Sequence, residues 1–183
     1  MSRRVAVVLL CEDKQHLVFF ERVLKNLRYV RKIRTFVAPS GEGSAEQYVR
    51  RQYPDQVQGI RRSHYACCLV VATDADRYTM QQRLAQLEAS LVESGKPQRS
   101  KDDPIAIFIP KWQIETWIRY LLSSDPVSED EPLPRLSGPG KECHPAADRF
   151  AEHVIHKSIP DGCPPSLTIG LRDEAPRIPE TSD

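Results

Sequence analysis

Residues 65–77 have the sequence YACCLVVATDADR, in which an apolar run is followed at once by Asp74-Ala75-Asp76. A short run without polar alternation, rich in β-branched residues, predicts a strand buried on both faces, as in a parallel sheet. Three other stretches predict strands of the same sheet: RVAVVLLC at 4–11, KIRTFVA at 32–38 and PIAIFI at 104–109. The 65–77 stretch therefore predicts both a central strand and a group of acids at its carboxyl end.

Apolar residues at helical spacing separate these strands. They predict helices at about 14–28, from 44 to about 53, 79–94 and 112–123, with a further helical turn near 55–62. Strands alternating with helices predict the α/β class. We expect a three-layer, Rossmann-like fold with a four-stranded, mainly parallel sheet and a C-terminal helical extension.

The composition changes after residue 123. Residues 125–140 are rich in Pro, Gly and acid and predict a loop, whereas 146–155 predict a short helix and 166–174 one or two helical turns. The length of 183 residues suits a single domain. We therefore assign 1–123 to an α/β domain, and 124–183 to an extension of loops and short helices packed on that domain.

Composition also excludes some classes of protein. No apolar run approaches the roughly 20 residues of a membrane span, and the first run stops too early for a signal peptide. We expect a cytoplasmic protein with no membrane partner. Five cysteines, two of them adjacent in an apolar run, fit reduced buried thiols better than a disulfide framework.

The net charge of +1 conceals a division along the chain. Residues 1–65 contain 13 Lys/Arg and 6 Asp/Glu, whereas 124–183 contain 6 and 12. The basic part could follow a nucleic-acid backbone, be an ordinary solvated face, or contact the acidic C-terminal segment. Near-neutrality of the whole chain therefore does not exclude a nucleic-acid partner.

Acidic side chains follow three of the four predicted strands. In a doubly wound sheet the carboxyl ends of the strands meet at one edge, so these acids should converge there. Hard divalent cations such as Mg²⁺ relieve the repulsion between carboxylates. We predict the metal ligands Glu12, Asp74, Asp76 and Glu115. Acids at strand ends can instead cap helices, so Asp13 could cap the first helix and Asp76 the third.

This pattern resembles the TOPRIM fold of topoisomerases, DnaG-type primases and OLD-family nucleases, in which a glutamate follows the first strand and Asp-x-Asp the third. Here Glu12 and Asp74-x-Asp76 match those positions. A Pro-x-x-x-Ile-Glu-x-Trp segment at 110–117 resembles a small bacterial TOPRIM-like nuclease group, often encoded beside ATPase partners. The resemblance covers about residues 4–123. It departs at Asp13, where the family usually has glycine.

The resemblance implies a nuclease that uses Mg²⁺ or Mn²⁺, and it suggests a subunit working with an ATPase in DNA repair or anti-phage defence. Asp74 and Asp76 would hold the metal, and Glu12 would be a ligand or general base. Glu115 would position a second metal, and Lys111 would balance charge on the scissile phosphate. A solvated surface lysine is the alternative for Lys111.

Five residues are candidates for contacting nucleic acid, which the resemblance suggests is DNA. Arg22, Lys25 and Arg28 lie about three apart along the first helix and predict an exposed basic stripe. Arg77 follows the Asp-x-Asp turn, and Trp112 offers a ring for base stacking. Trp117 is more typical of the core.

Three other functions remain open at this stage. The same fold could be a non-catalytic subunit that binds an ATPase or nucleic acid. A receiver-like domain would use Glu12, Asp13, Asp74 and Lys111, but no fifth strand ending in Lys-Pro is found. A zinc site would use Cys143, His144, His153, His156 and Cys163, whose spacing matches no structural zinc motif.

Overall fold

The computed structural model describes residues 5–41, 43–137 and 140–180. Its centre is a four-stranded sheet in which all strands are parallel and the order is β2-β1-β3-β4. The strands are β1 (Val5–Cys11), β2 (Val30–Val37), β3 (Cys67–Ala72) and β4 (Ile105–Phe108). Arg4, assigned to the first strand from sequence, lies outside the described residues. The predicted strand pattern is confirmed.

Helices cover both faces of the sheet. They are α1 (Lys14–Asn26), α2 (Ala45–Arg61), α3 (Met80–Glu93) and α4 (Glu115–Ser123). Successive residues of one strand enter opposite cores: Val70 packs with α1 and α4, and Val71 packs with α2 and α3. This alternation is the three-layer α/β arrangement, so the predicted fold class is confirmed.

Two helix boundaries differ from the sequence prediction. Helix α2 runs unbroken through Pro54, because Val49, Tyr53 and Val57 form one buried stripe whose packing outweighs the hydrogen bond that proline removes. Helix α4 begins at Glu115, three residues later than predicted. Trp112 has a φ of 64°, in the left-handed region, and cannot belong to a right-handed helix.

The C-terminal segment packs against α1 and α4. It contains the 3₁₀ turn Lys141–Cys143, α5 (His144–His156) and α6 (Pro165–Ile169), followed by the π-helical turn Gly170–Glu174 and the 3₁₀ turn Ala175–Arg177. Phe150 of α5 lies parallel to Trp117, with ring centroids 5.9 Å apart, and edge-on to Phe20 at 6.0 Å. Trp117 is fully buried, as predicted.

A group of charged residues closes the outer edge of β4. The backbone N–H of Ile107 donates to Glu174 Oε2 at 2.8 Å, and Arg99 Nη1 donates to the Ile105 carbonyl at 3.0 Å. Arg99 also forms a two-pronged ion pair with Glu174, at 2.6 and 3.1 Å. With Glu88 and Arg177 these residues make up the β4 edge cluster. They occupy backbone groups that an additional strand would otherwise pair with.

Across residues 5–41, 43–137 and 140–180, none of the helices combines the length and the apolar character needed to cross a bilayer. The longest, α2, has 17 residues and a charged outer face. Residues 138 and 139 of the predicted 125–140 loop lie outside the described part of the chain.

Candidate active site

The adjacent carboxyl ends of β1 and β3 bring Glu12 and Asp74 together. Glu12 Oε2 accepts a hydrogen bond from Thr73 Oγ1 at 2.6 Å and another from the backbone N–H of Asp74 at 2.9 Å. The Glu12 N–H in turn donates to the Ala72 carbonyl at 3.1 Å, which extends the β1–β3 ladder by one residue. Two donors on one oxygen fix the position of this side chain.

Asp74 continues into a chain of buried polar groups. His16 Nε2 lies 3.0 Å from Asp74 Oδ1, and His16 Nδ1 lies 2.8 Å from Asp13 Oδ1. Asp13 also caps α1, accepting from the His16 backbone N–H at 2.9 Å, so its predicted capping role is confirmed. Glu12, Asp13, His16 and Asp74 together form the strand-end cluster.

Burial governs the electrostatics of this cluster. It raises the pKa of Asp74 to about 7, although the His16 charge and hydrogen bond act in the opposite direction. Burial alone would lower the pKa of His16, but Asp74 and Asp13 raise it well above its usual value. The pKa of Asp13 falls to about 2, because its bonds to His16 outweigh burial. His16 thus bonds to two of the three carboxylates of the cluster.

Asp76 lies apart from Asp74. Its backbone has a φ of 51°, and its Oδ2 accepts from Arg83 Nη2 at 3.3 Å. Arg83 is buried, donates from Nε to the Asp74 carbonyl at 2.9 Å and pairs with Glu46 at 2.9 Å. The two aspartates of the Asp-x-Asp turn therefore meet different cations, on opposite faces of the sheet. Asp76 does not cap α3, because Thr79 does so through a capping box.

Lys111 supports the loop that contains Asp76. Its ammonium donates to the Asp76 and Tyr78 carbonyls, both at 2.8 Å, and lies 3.9 Å from the centre of the Trp112 ring. Trp112 is half-buried, and its Nε1 donates to the Glu129 carbonyl at 3.0 Å. A receiver-like site would instead set the lysine beside Asp74. The observed contacts give Lys111 a different environment.

Glu115 is buried in the first turn of α4. In the part of the chain that the structure describes, it makes no hydrogen bond or ion pair with Glu12, Asp74 or Asp76. The same described residues contain no group of three His, Cys, Asp or Glu side chains arranged to hold a metal ion. That finding applies equally to the cysteines and histidines between residues 143 and 163. Among the predicted ligands, the described hydrogen bonds join Glu12 and Asp74, through the Asp74 backbone N–H.

The predicted basic stripe on α1 is divided among different partners. Arg22 forms a two-pronged ion pair with Asp148 of α5, at 2.6 and 2.9 Å, which lowers the pKa of Asp148. Lys25 pairs with Glu21 at 2.9 Å, one helical turn away, and Arg28 is exposed beyond the helix. The charge of Arg22 is therefore used in a contact between the basic N-terminal part of the chain and its acidic C-terminal part.

Three residues of this region were not identified from the sequence. Thr73 bonds to Glu12, and His16 bonds to Asp74. Arg83 donates to the Asp74 carbonyl in the Asp-x-Asp turn. His16 had a detectable signal, because it is a polar residue on the same helix face as Phe19, Phe20 and Val23. Its partner Asp74 is 58 positions away and could not be read from local spacing.

The chain was compared with protein-family models, curated proteins and solved structures. No match was found in any of the three. The functional argument therefore depends on the geometry of the strand-end cluster and its surroundings.

Proposed function

We propose that this chain hydrolyses phosphodiester bonds with Mg²⁺ or Mn²⁺ held at Glu12 and Asp74. The observation that carries the proposal is the hydrogen bond from the Asp74 backbone N–H to the Glu12 carboxylate, which holds these two residues together at the carboxyl edge of a parallel sheet. This edge is the usual location of active sites in this fold class. It agrees with the TOPRIM resemblance, which suggests a nuclease acting with an ATPase in DNA repair or anti-phage defence.

The donor set is compatible with a hard divalent cation. Mg²⁺ is commonly bound by one or two carboxylates together with substrate phosphates, so a closed protein cage is not required. Hydrogen bonds occupy Oε2 of Glu12 and Oδ1 of Asp74, and the second oxygen of each accepts none among the described residues. The raised pKa of Asp74 shows that its negative charge is incompletely compensated. A bound divalent cation would favour the ionised carboxylate.

A bound ion would polarise the phosphate and lower the pKa of the attacking water. Glu12, held in place by its two donors, would take the proton from that water through its second oxygen. His16 would hold Asp74 in place through Nε2. Two of the three Lys111 N–H groups donate to carbonyls, and the third would donate to a phosphate oxygen. Asp76 and Glu115 remain candidates for a second metal.

The test is cleavage of plasmid and of labelled oligonucleotides with Mg²⁺ or Mn²⁺. We expect Asp74→Asn and Glu12→Gln each to reduce the rate about 100-fold or more, the usual contribution of a general base or ligand. Glu21→Gln is the matched control, since Glu21 is an acid of α1 whose ion pair in the described residues is with Lys25. Cleavage that is absent, or equal in wild type and Asp74→Asn, rejects the hydrolase.

A second candidate is a non-catalytic subunit that binds nucleic acid or an ATPase. Its support is that His16 and Arg83 already neutralise part of the acidic charge, and that no three-ligand group occurs in residues 5–41, 43–137 and 140–180. This candidate predicts nucleic-acid or ATPase binding without cleavage in either metal. In that case Asp74→Asn would leave binding unchanged.

A further inference from the structure

An open cleft of about 570 Å³ lies beside Asp76, between the N-terminal turn of α2 and the loop that joins β3 to α3. This volume is within the range of sites for small ligands. Its walls include Arg50 of α2, Arg77 and Tyr78 of the loop, and Trp112. We call it the α2–β3 cleft. None of the contacts described above within the strand-end cluster uses it.

The cleft has cations available for an anion. Arg83, at its base, is already engaged with Glu46, Asp76 and Gln86. Arg77 is exposed, and in the described part of the chain it contacts only Tyr78, by a 3.4 Å hydrogen bond and by lying over the ring. Arg50 is held loosely, 3.6 Å from Glu46. Arg50 and Arg77 are thus the groups that a phosphate would meet.

The cleft also has two aromatic rings in its wall. Tyr78 and Trp112 are half-buried, and neither belongs to either hydrophobic core. The Trp112 ring is held by its bond to the Glu129 carbonyl and by the Lys111 ammonium over its face. Aromatic side chains beside cations, outside the core, are the combination that binds unpaired bases together with their phosphates.

Two of the four non-glycine residues that have left-handed φ angles in the described part of the chain lie in the same wall. Asp76 and Trp112 both have left-handed φ angles, 51° and 64°, and the Asp76 N–H donates to the Trp112 carbonyl at 3.2 Å. A left-handed tryptophan is costly, and neither core explains it. Residues held in such conformations cluster at ligand-binding sites. Because of this backbone conformation, Trp112 does not extend α4 toward its N-terminus, and its side chain lines the cleft.

We propose that the α2–β3 cleft binds an unpaired nucleotide of a single-stranded nucleic acid. The base stacks on Trp112 or Tyr78, and its phosphate binds Arg50 and Arg77. A base within a duplex offers no free face to these rings, so the cleft selects single strands. This inference rests on the proposed function in one respect: the bound strand would be the substrate that the neighbouring strand-end cluster cleaves. DNA and RNA share the recognised chemistry.

Tryptophan fluorescence tests the proposal directly. The chain has two tryptophans, and Trp117 is fully buried, so quenching by a ligand reports on Trp112. The full chain is titrated in EDTA with a 12-nucleotide oligo-dT, the matching oligo-U and a blunt duplex. We expect quenching by the single strands and little by the duplex. The oligo-dT and oligo-U arms distinguish DNA from RNA.

Variants of the cleft give the matched comparisons. Tyr78→Ala should weaken single-strand binding about tenfold, and Arg77→Gln should weaken it and reduce its salt dependence. Tyr78→Phe keeps the ring and should retain binding, which separates stacking from a folding defect. The controls are Tyr65→Ala, at the amino end of β3, and Arg51→Gln, next to Arg50 but outside the cleft wall.

The inference and the proposed function can fail separately. Duplex binding as tight as single-strand binding, or single-strand binding unchanged in both Tyr78→Ala and Arg77→Gln, overturns the cleft even where Asp74→Asn abolishes cleavage. Single-strand quenching that Tyr78→Ala removes, in a chain that cleaves nothing, supports the cleft and rejects the hydrolase.

Discussion

Two clusters of charged residues in the described part of the chain, the β4 edge cluster and the strand-end cluster, are balanced differently. In the β4 edge cluster two arginines face two glutamates, and the bonds among them also close the open side of β4. The strand-end cluster contains a single histidine and three carboxylates, two of which bond to the histidine. A balanced buried cluster stabilises a fold, whereas an unbalanced one retains charge that a ligand can neutralise.

Removing a member of the balanced cluster should have the largest effect on stability. Glu174→Ala leaves the Arg99 guanidinium and the Ile107 N–H without their buried partner. We expect the free energy of unfolding to fall by about 3–5 kcal/mol, measured by urea denaturation. Arg172→Ala is the control, because the ion pair of Arg172 among the residues that the structure describes is with its exposed neighbour Asp173. A loss below about 1 kcal/mol would show that this cluster does not stabilise the β4 edge.

Removing a charge from the unbalanced cluster should instead raise the free energy of unfolding at neutral and higher pH. The pKa of Asp74 is raised to about 7, so the folded state binds a proton that the unfolded state releases near pH 4. Wild type therefore loses stability from this group as the pH rises from about 4 to 7, and Asp74→Asn does not. At pH 8 we expect the variant to be more stable by about 1–2 kcal/mol.

The measurement is urea denaturation of wild type and Asp74→Asn at several pH values. The difference in free energy of unfolding should grow between pH 4 and 7 and then level off. Asp173→Asn, at an exposed ion pair, is the control and should show no such increase. If Asp74→Asn is less stable than wild type at pH 8, then the Asp74 charge stabilises the fold and the contrast between the two clusters is weakened.

The smallest effect is expected at the contact between the basic and acidic parts of the chain. Arg22 and Asp148 are each about 40% exposed, at 41% and 37%, so solvent screens their ion pair. Arg22→Gln should lower the free energy of unfolding only slightly, and by less than either change above. A double-mutant cycle with Asp148→Asn isolates the pair, and the coupling should shrink in 1 M salt. Zero coupling at low salt would leave Arg22 available to nucleic acid.

The sequence predicted those parts of the molecule that depend on local pattern. Apolar runs identified four strands, and the acids after β1 and β3 correctly predicted that Glu12 and Asp74 meet. Pro54 led to a wrong helix end, because local propensity was outweighed by the buried face of α2. Trp112 led to a wrong helix start, because its left-handed backbone depends on a bond to Asp76 across the sheet edge.

The electrostatics of the site were beyond sequence analysis for a related reason. Whether a carboxylate is neutralised depends on partners from distant elements, such as His16 for Asp74 and Arg83 for Asp76. Residue spacing showed that two aspartates leave one turn, but not that their side chains meet different cations. Contacts across 58 positions are set by packing of the whole sheet.

Anomalous diffraction from a crystal soaked in Mn²⁺ tests the central claim most directly. The account predicts a peak about 2.0–2.3 Å from a carboxylate oxygen of both Glu12 and Asp74, absent from Asp74→Asn crystals soaked identically. No peak at saturating Mn²⁺, with Asp74 still bonded to His16, would contradict it.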